Sequence, residues 1–299
     1  MRILISGASG LLGSALTRVL RASGHAPMAL VRHPAGRVEV QWDPKRPLDP
    51  ANLADCDAVI HLAGKNIAGL WTKKFKQEVL ESRVRGTRTL ATAAADSFRR
   101  TGKPRVFVSA SGISYYGDRG DEALTEESSL GTGFLADVAK QWEAAAAPAR
   151  DAGIRVVSLR IGVVLARNGG ALKPLLLPFR LGLGGRIGSG RQWWSWIALD
   201  DVIGVMKFAV ENDSLQGPVN TVGPAPVRNA EFVRALGSQL HRPTIFPLPE
   251  FVVRSVMGEM GQELLLTSAR VLPAKLNAAG YKFRHVQLQD ALAAAVGGS

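Results

Sequence analysis

Short apolar runs alternate with longer amphipathic stretches along most of this 299-residue chain. Runs rich in Val, Ile and Leu at residues 2–6, 26–31, 38–42, 58–62, 105–109 and 155–159 read as strands. Residues 14–23, 73–99 and 134–151 place apolar side chains at spacings of three and four, which predicts helices. Val106-Phe107-Val108 shows no polar alternation. A run of that kind suits a strand covered on both faces, as in a parallel sheet flanked by helices. The pattern predicts an α/β chain with a doubly wound, mainly parallel sheet. After about residue 162 the texture loosens. Gly182, Gly184, Gly185, Gly188 and Gly190 interrupt it, and prolines gather between Pro218 and Pro249. Residues 1–162 are therefore expected to form the sheet domain, with later segments returning to it. Residues 163–299 are expected to form a smaller, partly irregular substrate region, helical again at 250–280 and 290–296.

The first strand runs straight into Gly7-Ala8-Ser9-Gly10-Leu11-Leu12-Gly13, and a helical stretch follows. Strand, glycine turn and helix in that order form a device for holding a dinucleotide. Gly7 allows the sharp turn, Gly10 lets backbone approach a diphosphate, and Gly13 lets the helix pack closely. The unpaired N–H groups at the helix start then face the phosphates. Expected cofactor contacts here are Gly7, Ser9, Gly10, Leu11, Leu12 and Gly13. The second strand ends at Val31-Arg32-His33, where an NAD site carries an acid for the ribose 2′-hydroxyl. A guanidinium there suits a 2′-phosphate, so the expected cofactor is NADP(H). The fourth strand opens into Leu62-Ala63-Gly64, small enough to leave room for ribose and phosphate.

On the long helix, Arg83 falls on the apolar stripe of Phe75, Val79, Gly86 and Leu90. Two roles fit it: an anionic partner near the cofactor, or a stem that snorkels to the surface or to a nearby carboxylate.

Composition narrows the partners. The chain is 46% hydrophobic and 21% charged, which is globular. Its one cysteine, Cys56, excludes an internal disulfide and a cysteine metal cage, and five scattered histidines suggest no metal site. No apolar run approaches the ~20 residues that span a bilayer. A reduced, cytoplasmic setting is expected. The net charge of +12 is spread along the chain, and its densest stretch, residues 73–88, includes Glu78 and Glu81. Without a nucleic-acid-binding motif, that charge reads as a solvated face that also attracts a polyanionic cofactor or acidic substrate. Neither nucleic acid nor membrane is expected as a partner; a small-molecule substrate is, on a monomer or homodimer.

With these pieces in hand, the chain resembles the extended short-chain dehydrogenase/reductase superfamily. More closely, it resembles NAD(P)-dependent epimerase-family proteins with a small C-terminal domain of unknown function. The resemblance rests on Gly7–Gly13, Val59–Asn66 (VIHLAGKN), Trp71, Ser82-Arg83, Ser109–Gly120 (SASGISYYGDRG), Phe134-Leu135-Ala136 with Trp142-Glu143, Gly188–Gln192 with Trp196-Ile197, Asp200-Asp201, and Glu263-Leu264-Leu265-Leu266 with Arg270–Pro273. It implies a Rossmann-type fold, a nicotinamide cofactor and a substrate pocket at the carboxyl edge of the sheet, with Arg83, Ser109 and Ile161 among the cofactor contacts.

The departures are as informative. Reductases of this superfamily use Tyr-x-x-x-Lys. Counting back from Glu143, those slots hold Leu135 and Ala139, neither of which can move a proton. Lys140 is one position off, about 100° round the helix. A histidine usually stands two residues before the Asp-Asp pair; here it is Ala198. Tyr116 is the expected proton donor instead, with Ser111 or Ser114 orienting the substrate and Lys140 or Arg83 lowering the tyrosine pKa. The other reading of Tyr115 and Tyr116 is packing at the sheet edge. Trp193, Trp194 and Trp196 fit either core packing or an aromatic wall for substrate. The expected function is an NADP(H)-dependent oxidoreductase or epimerase-like enzyme acting on a small carbonyl or alcohol. The alternative is an NADP(H)-binding sensor with little or no turnover.

Overall fold

The computed structural model describes residues 1–36 and 38–297, which divide into two compact units. The first comprises Met1–Ser111, Val138–Leu159 and Ile203–Val219; the second comprises Gly112–Asp137, Arg160–Val202 and the chain from Asn220 onward. The chain thus passes between units several times, with later segments contributing to the first unit. The reason is topological: a late segment is needed to complete the sheet.

That sheet has seven strands: β1 (Arg2–Ser6), β2 (Ala26–Val31), β3 (Glu39–Gln41), β4 (Ala58–His61), β5 (Val106–Gly112), β6 (Arg155–Ile161) and β7 (Gly217–Thr221). Their order is β7-β6-β5-β4-β1-β2-β3, a parallel α/β arrangement that winds outward in both directions from β1. Ile3, Leu4, Ile5, Val59, Ile60, Phe107 and Val108 are all fully buried, so both faces of the sheet are covered, as the unbroken apolar runs require. The register matters for function. Ser6 pairs with Leu30 on one side and His61 on the other, and Val31 pairs with Gln41. The segments leaving β1, β2 and β4 therefore emerge at one edge, beside the β1/β4 reversal of strand order where such sheets bind ligands.

Three helices position the candidate site residues. α1 (Leu11–Ala22) buries Gly13, Leu16 and Leu20. α2 (Lys73–Thr101) starts where the Thr72 hydroxyl accepts the Phe75 N–H, and it stops at Gly102 in the left-handed conformation. α3 (Phe134–Ala144) is separate from a short helix at Ala147–Asp151, whereas the pattern predicted one helix over 134–151. Pro148 explains the break: it has no N–H to continue the ladder but suits the first turn of a new helix.

In the second unit, small sheets and the helices Leu172–Arg180, Asn229–Leu240, Glu250–Gly261 and Leu288–Gly297 enclose a core of Leu172, Phe179, Trp194, Trp196, Phe232 and Leu292. Residues 250–280 are not continuously helical. Gly258 takes φ 55°, ψ −138° inside the first helix, Gln262–Leu266 form a π turn, and Arg270–Val271 pair as a strand with Ala123–Leu124. Among the described residues, no helix is long and apolar enough to cross a membrane.

Candidate functional site

β1 ends at Ser6, and Gly7 turns the chain with φ 72°. A Cβ on Gly7 would sit 3.0 Å from the Ala63 nitrogen and the Leu62 carbonyl carbon. A Cβ on Gly13 would sit 2.2 Å from the Gly7 oxygen, so only glycine lets α1 start this close to the turn. Gly10 caps α1 without a side-chain hydrogen bond, and the first turn holds no acid. Ser9 and Gly10 are exposed, while Leu11 and Leu12 are half-buried at the helix start. The result is a backbone cradle with free N–H groups at the positive end of a helix, suited to an anion.

The cradle is tied to β4 from below. The Ser6 hydroxyl oxygen accepts the Leu62 and Ala63 N–H groups at 3.2 and 3.3 Å and lies 2.6 Å from His61 Nδ1. His61 is fully buried, and burial pushes its pKa down to about 4, so the ring is neutral at neutral pH. The Ser6 hydroxyl and His61 Nδ1 share a hydrogen bond. One serine thus fixes the turn after β1 to the turn after β4.

Arg32 leaves the end of β2 exposed. It borders a hollow of about 560 Å³ whose lining includes Trp42, Asp43, Arg46 and Leu48. Arg83 is placed by α2 with its guanidinium against Gly64: a Cβ there would be 3.5 Å from Cζ. Its Nη1 donates to the carbonyls of Lys65 and Val79 at 2.9 and 3.2 Å, and it stands over the Trp142 ring at 4.9 Å. Burial lowers its pKa to about 10. Of the two roles open to Arg83, the structure supplies contacts to backbone and to an aromatic face.

β5 delivers two serines. Ser109 is buried and donates to the Ala110 carbonyl at 3.2 Å; Ser111 donates to Glu143 Oε1 at 2.8 Å. Ser114 follows in a 3-10 turn, half-buried. Leu135 and Ala139, in the tyrosine and lysine slots, are buried, and Lys140 is exposed, as the 100° rotation dictates. Glu263 fixes the start of α3 by accepting the N–H groups of Phe134 and Leu135 at 2.7 and 2.8 Å.

Tyr116 is fully buried. Its hydroxyl accepts from Arg160 Nη1 at 2.9 Å and donates to Asn220 Oδ1 at 2.7 Å. Desolvation raises its pKa, opposed by the Arg160 charge and hydrogen bond. The hydroxyl is enclosed and bonded on both sides. The cation beside it is Arg160, not the Lys140 or Arg83 expected from the sequence. Arg160 also stacks on the Tyr115 ring at 3.4 Å. Asn220 is held in turn by Glu126, which accepts its backbone N–H at 3.0 Å, and by donating Nδ2 to the Leu272 carbonyl. Sequence reading missed Arg160, Asn220 and Glu126. The available signal was a charge and an amide embedded in apolar strand, at Leu159-Arg160-Ile161 and Val219-Asn220-Thr221. Ile161 itself is half-buried at the end of β6.

Trp194 and Trp196 pack in the core of the second unit, Trp194 5.0 Å from Phe232. Trp193 is half-buried between Arg228 and Arg270 and donates to Asp121. Among the described residues, no three His, Cys, Asp or Glu side chains are arranged to hold a metal ion.

The model of the NAD dependent epimerase/dehydratase family matches residues 3–223. The chain belongs to that family. Residues 248–295, which include Glu263, match a second model, a domain of unknown function designated DUF1731. Epimerase family protein Mb2239 of Mycobacterium bovis is 44% identical over 97% of this chain and 96% of its own. Bovine epimerase family protein SDR39U1 is 41% identical over 98% of each. The crystal structure of human SDR39U1 (isoform 2) with NADPH superposes with a TM-score of 0.91 at 37% identity, covering 100% of both chains. A Corynebacterium glutamicum nucleoside-diphosphate sugar epimerase gives 0.81 at 36% identity, over 99% of this chain and 58% of that one. A Bacillus cereus UDP-glucuronic acid 4-epimerase shares the fold, with TM-score 0.78 at 19% identity.

Proposed function

We propose that this protein binds NADP(H) at the glycine cradle and uses it on a small carbonyl or alcohol substrate, as an oxidoreductase or epimerase-like enzyme that works without Tyr-x-x-x-Lys. The observation that carries the reading is the cradle itself: Gly7 and Gly13 stand where any side chain would collide, and the α1 N-terminus above them is free of acid. The human relative crystallised with NADPH supports the same cofactor.

The residues of this chain divide the work as follows. Backbone N–H groups of Ser9, Leu11 and Leu12 hold the diphosphate, and Arg32 grips the 2′-phosphate. Leu62, Ala63 and Gly64 leave room for ribose, with Arg83 stiffening the turn at Gly64. When bound, the nicotinamide supplies hydride exchange. Ser109 and Ile161 stand as contacts to the cofactor. Ser111, backed by the Glu143 carboxylate, and Ser114 supply the hydroxyls that orient and polarise a substrate oxygen. Tyr116 holds Arg160 and Asn220 in place rather than moving a proton.

A second reading has one specific observation in its favour. The slots for the usual acid and its lysine are filled by buried Leu135 and Ala139, which suits an NADP(H)-binding sensor without turnover. The two readings separate by screening carbonyl compounds with the protein and NADPH while following nicotinamide absorbance. Turnover that falls about a hundredfold in Ser111→Ala or Ser114→Ala supports the enzyme. Tight binding with no turnover across the panel supports the sensor.

A further inference from the structure

We propose that the second unit carries a surface that docks onto an anionic lipid bilayer. Two segments build it, residues 172–190 and 234–249. They run side by side: the Phe246 N–H donates to the Gly184 carbonyl at 3.2 Å, the Leu248 N–H to the Arg186 carbonyl at 2.8 Å, and Arg242 Nε to the Arg180 carbonyl at 2.8 Å. On these segments Leu177 is 67% exposed, Leu181 66%, Leu183 56%, Ile245 71% and Phe246 53%. A single exposed leucine is ordinary. Five large apolar side chains on two hydrogen-bonded segments mark an interaction surface.

The charge on the same segments indicates what covers it. Residues 172–190 and 234–249 contain no Asp or Glu at all. They carry Lys173, Arg180, Arg186, Arg234 and Arg242, all exposed. Arg186 and Arg234 line a hollow of about 350 Å³ together with Val233, Ile245 and Pro247, so guanidinium groups and apolar walls face the same space. Cations interleaved with bulky apolar side chains, with the adjoining acid Glu250 paired to Arg254, match a layer of anionic headgroups over hydrocarbon. A second copy of this chain fits worse, because a twofold contact sets the cations against themselves. A peptide strand finds no continuous edge, because Pro243, Pro247 and Pro249 interrupt the outer segment. The proposal departs from the sequence expectation of no membrane partner, which rested on charge spread along the chain and on the lack of a spanning run; folding gathers the cations and apolar side chains that the sequence scatters.

The test is flotation of the full-length protein with vesicles of phosphatidylcholine alone and of phosphatidylcholine with phosphatidylglycerol, at low and high salt. The expected result is binding at least about tenfold tighter to the anionic vesicles, weakened by salt. It should fall about tenfold or more in the fourfold variant Leu181→Ser, Leu183→Ser, Ile245→Ser, Phe246→Ser, and likewise in Arg186→Gln, Arg234→Gln. Because all these side chains are exposed, thermal unfolding and NADPH affinity should match the parent protein, which separates lost docking from lost folding. Absence of binding overturns the proposal. So does binding that the fourfold variant leaves unchanged, which is plain adsorption of a basic protein. Concentration-dependent dimerisation that the fourfold variant abolishes, with no vesicle binding, overturns it in favour of a second copy of the chain.

Discussion

On the proposed reading, Arg32 discriminates between two cofactors that differ by a phosphate. Charge-assisted hydrogen bonds to that group are worth about 1.5–3 kcal/mol. Arg32→Ala should therefore weaken NADPH about 10- to 100-fold and leave NADH nearly unchanged; fluorescence titration of both nucleotides checks it. Tyr116 makes the opposite kind of prediction. Its hydroxyl bridges Arg160 and Asn220 in the interior, so Tyr116→Phe leaves buried polar groups short of a partner. The cost should be about 1–3 kcal/mol in urea unfolding, with any turnover kept within a few-fold. A hundredfold loss of turnover with unchanged stability would return Tyr116 to the reaction. His61 gives a pH signature. Its folded-state pKa of about 4 lies below the ordinary 6.5, so between those values the unfolded chain binds the proton and the folded chain does not. Stability from this group is intact above pH 6.5 and falls as pH drops toward 4, by up to about 3 kcal/mol. The decline between about pH 6.5 and 4 should be shallower in His61→Asn than in the parent; identical slopes would mean the ring is not held neutral.

At the scale of elements, the start of α3 is set from far along the sequence. Glu263 accepts the N–H groups of Phe134 and Leu135, in the place where a local Ser, Thr or Asp would ordinarily cap. Glu263→Ala should cost about 1–2 kcal/mol and raise hydrogen exchange at the first turn of α3, while Glu263→Gln should recover part of the loss. No local reading finds such a cap, because both partners are needed to see it. β1 and β2 were legible to the residue, Arg2–Ser6 and Ala26–Val31, since each is a compact apolar run. β7 was not: Gly217-Pro218 and Asn220 read as loop, and tertiary burial overrides that propensity. The predicted helix over 250–280 failed at Gly258 and Pro273, where helical spacing of apolar residues continued after the backbone had turned away.

For the whole molecule, the cradle was visible in the sequence and the polar interior was not. Gly7 to Gly13 and Arg32 lie within one strand–turn–helix–strand stretch, so spacing alone places them. Tyr116, Arg160, Asn220 and Glu126 come from four distant segments, and only folding joins them. If the cradle binds its ligand in the native state alone, saturating NADPH should raise the unfolding free energy by about 3 kcal/mol at a hundred times Kd, seen as a higher Tm. NADH at the same concentration should raise it less. The most direct measurement is isothermal calorimetry of the purified protein with NADPH and NADH, repeated with Arg32→Ala. One site per chain is expected, with at least about tenfold preference for NADPH and loss of that preference in the variant. Failure to take up either nucleotide, or equal affinity for both in the parent protein, would contradict that expectation.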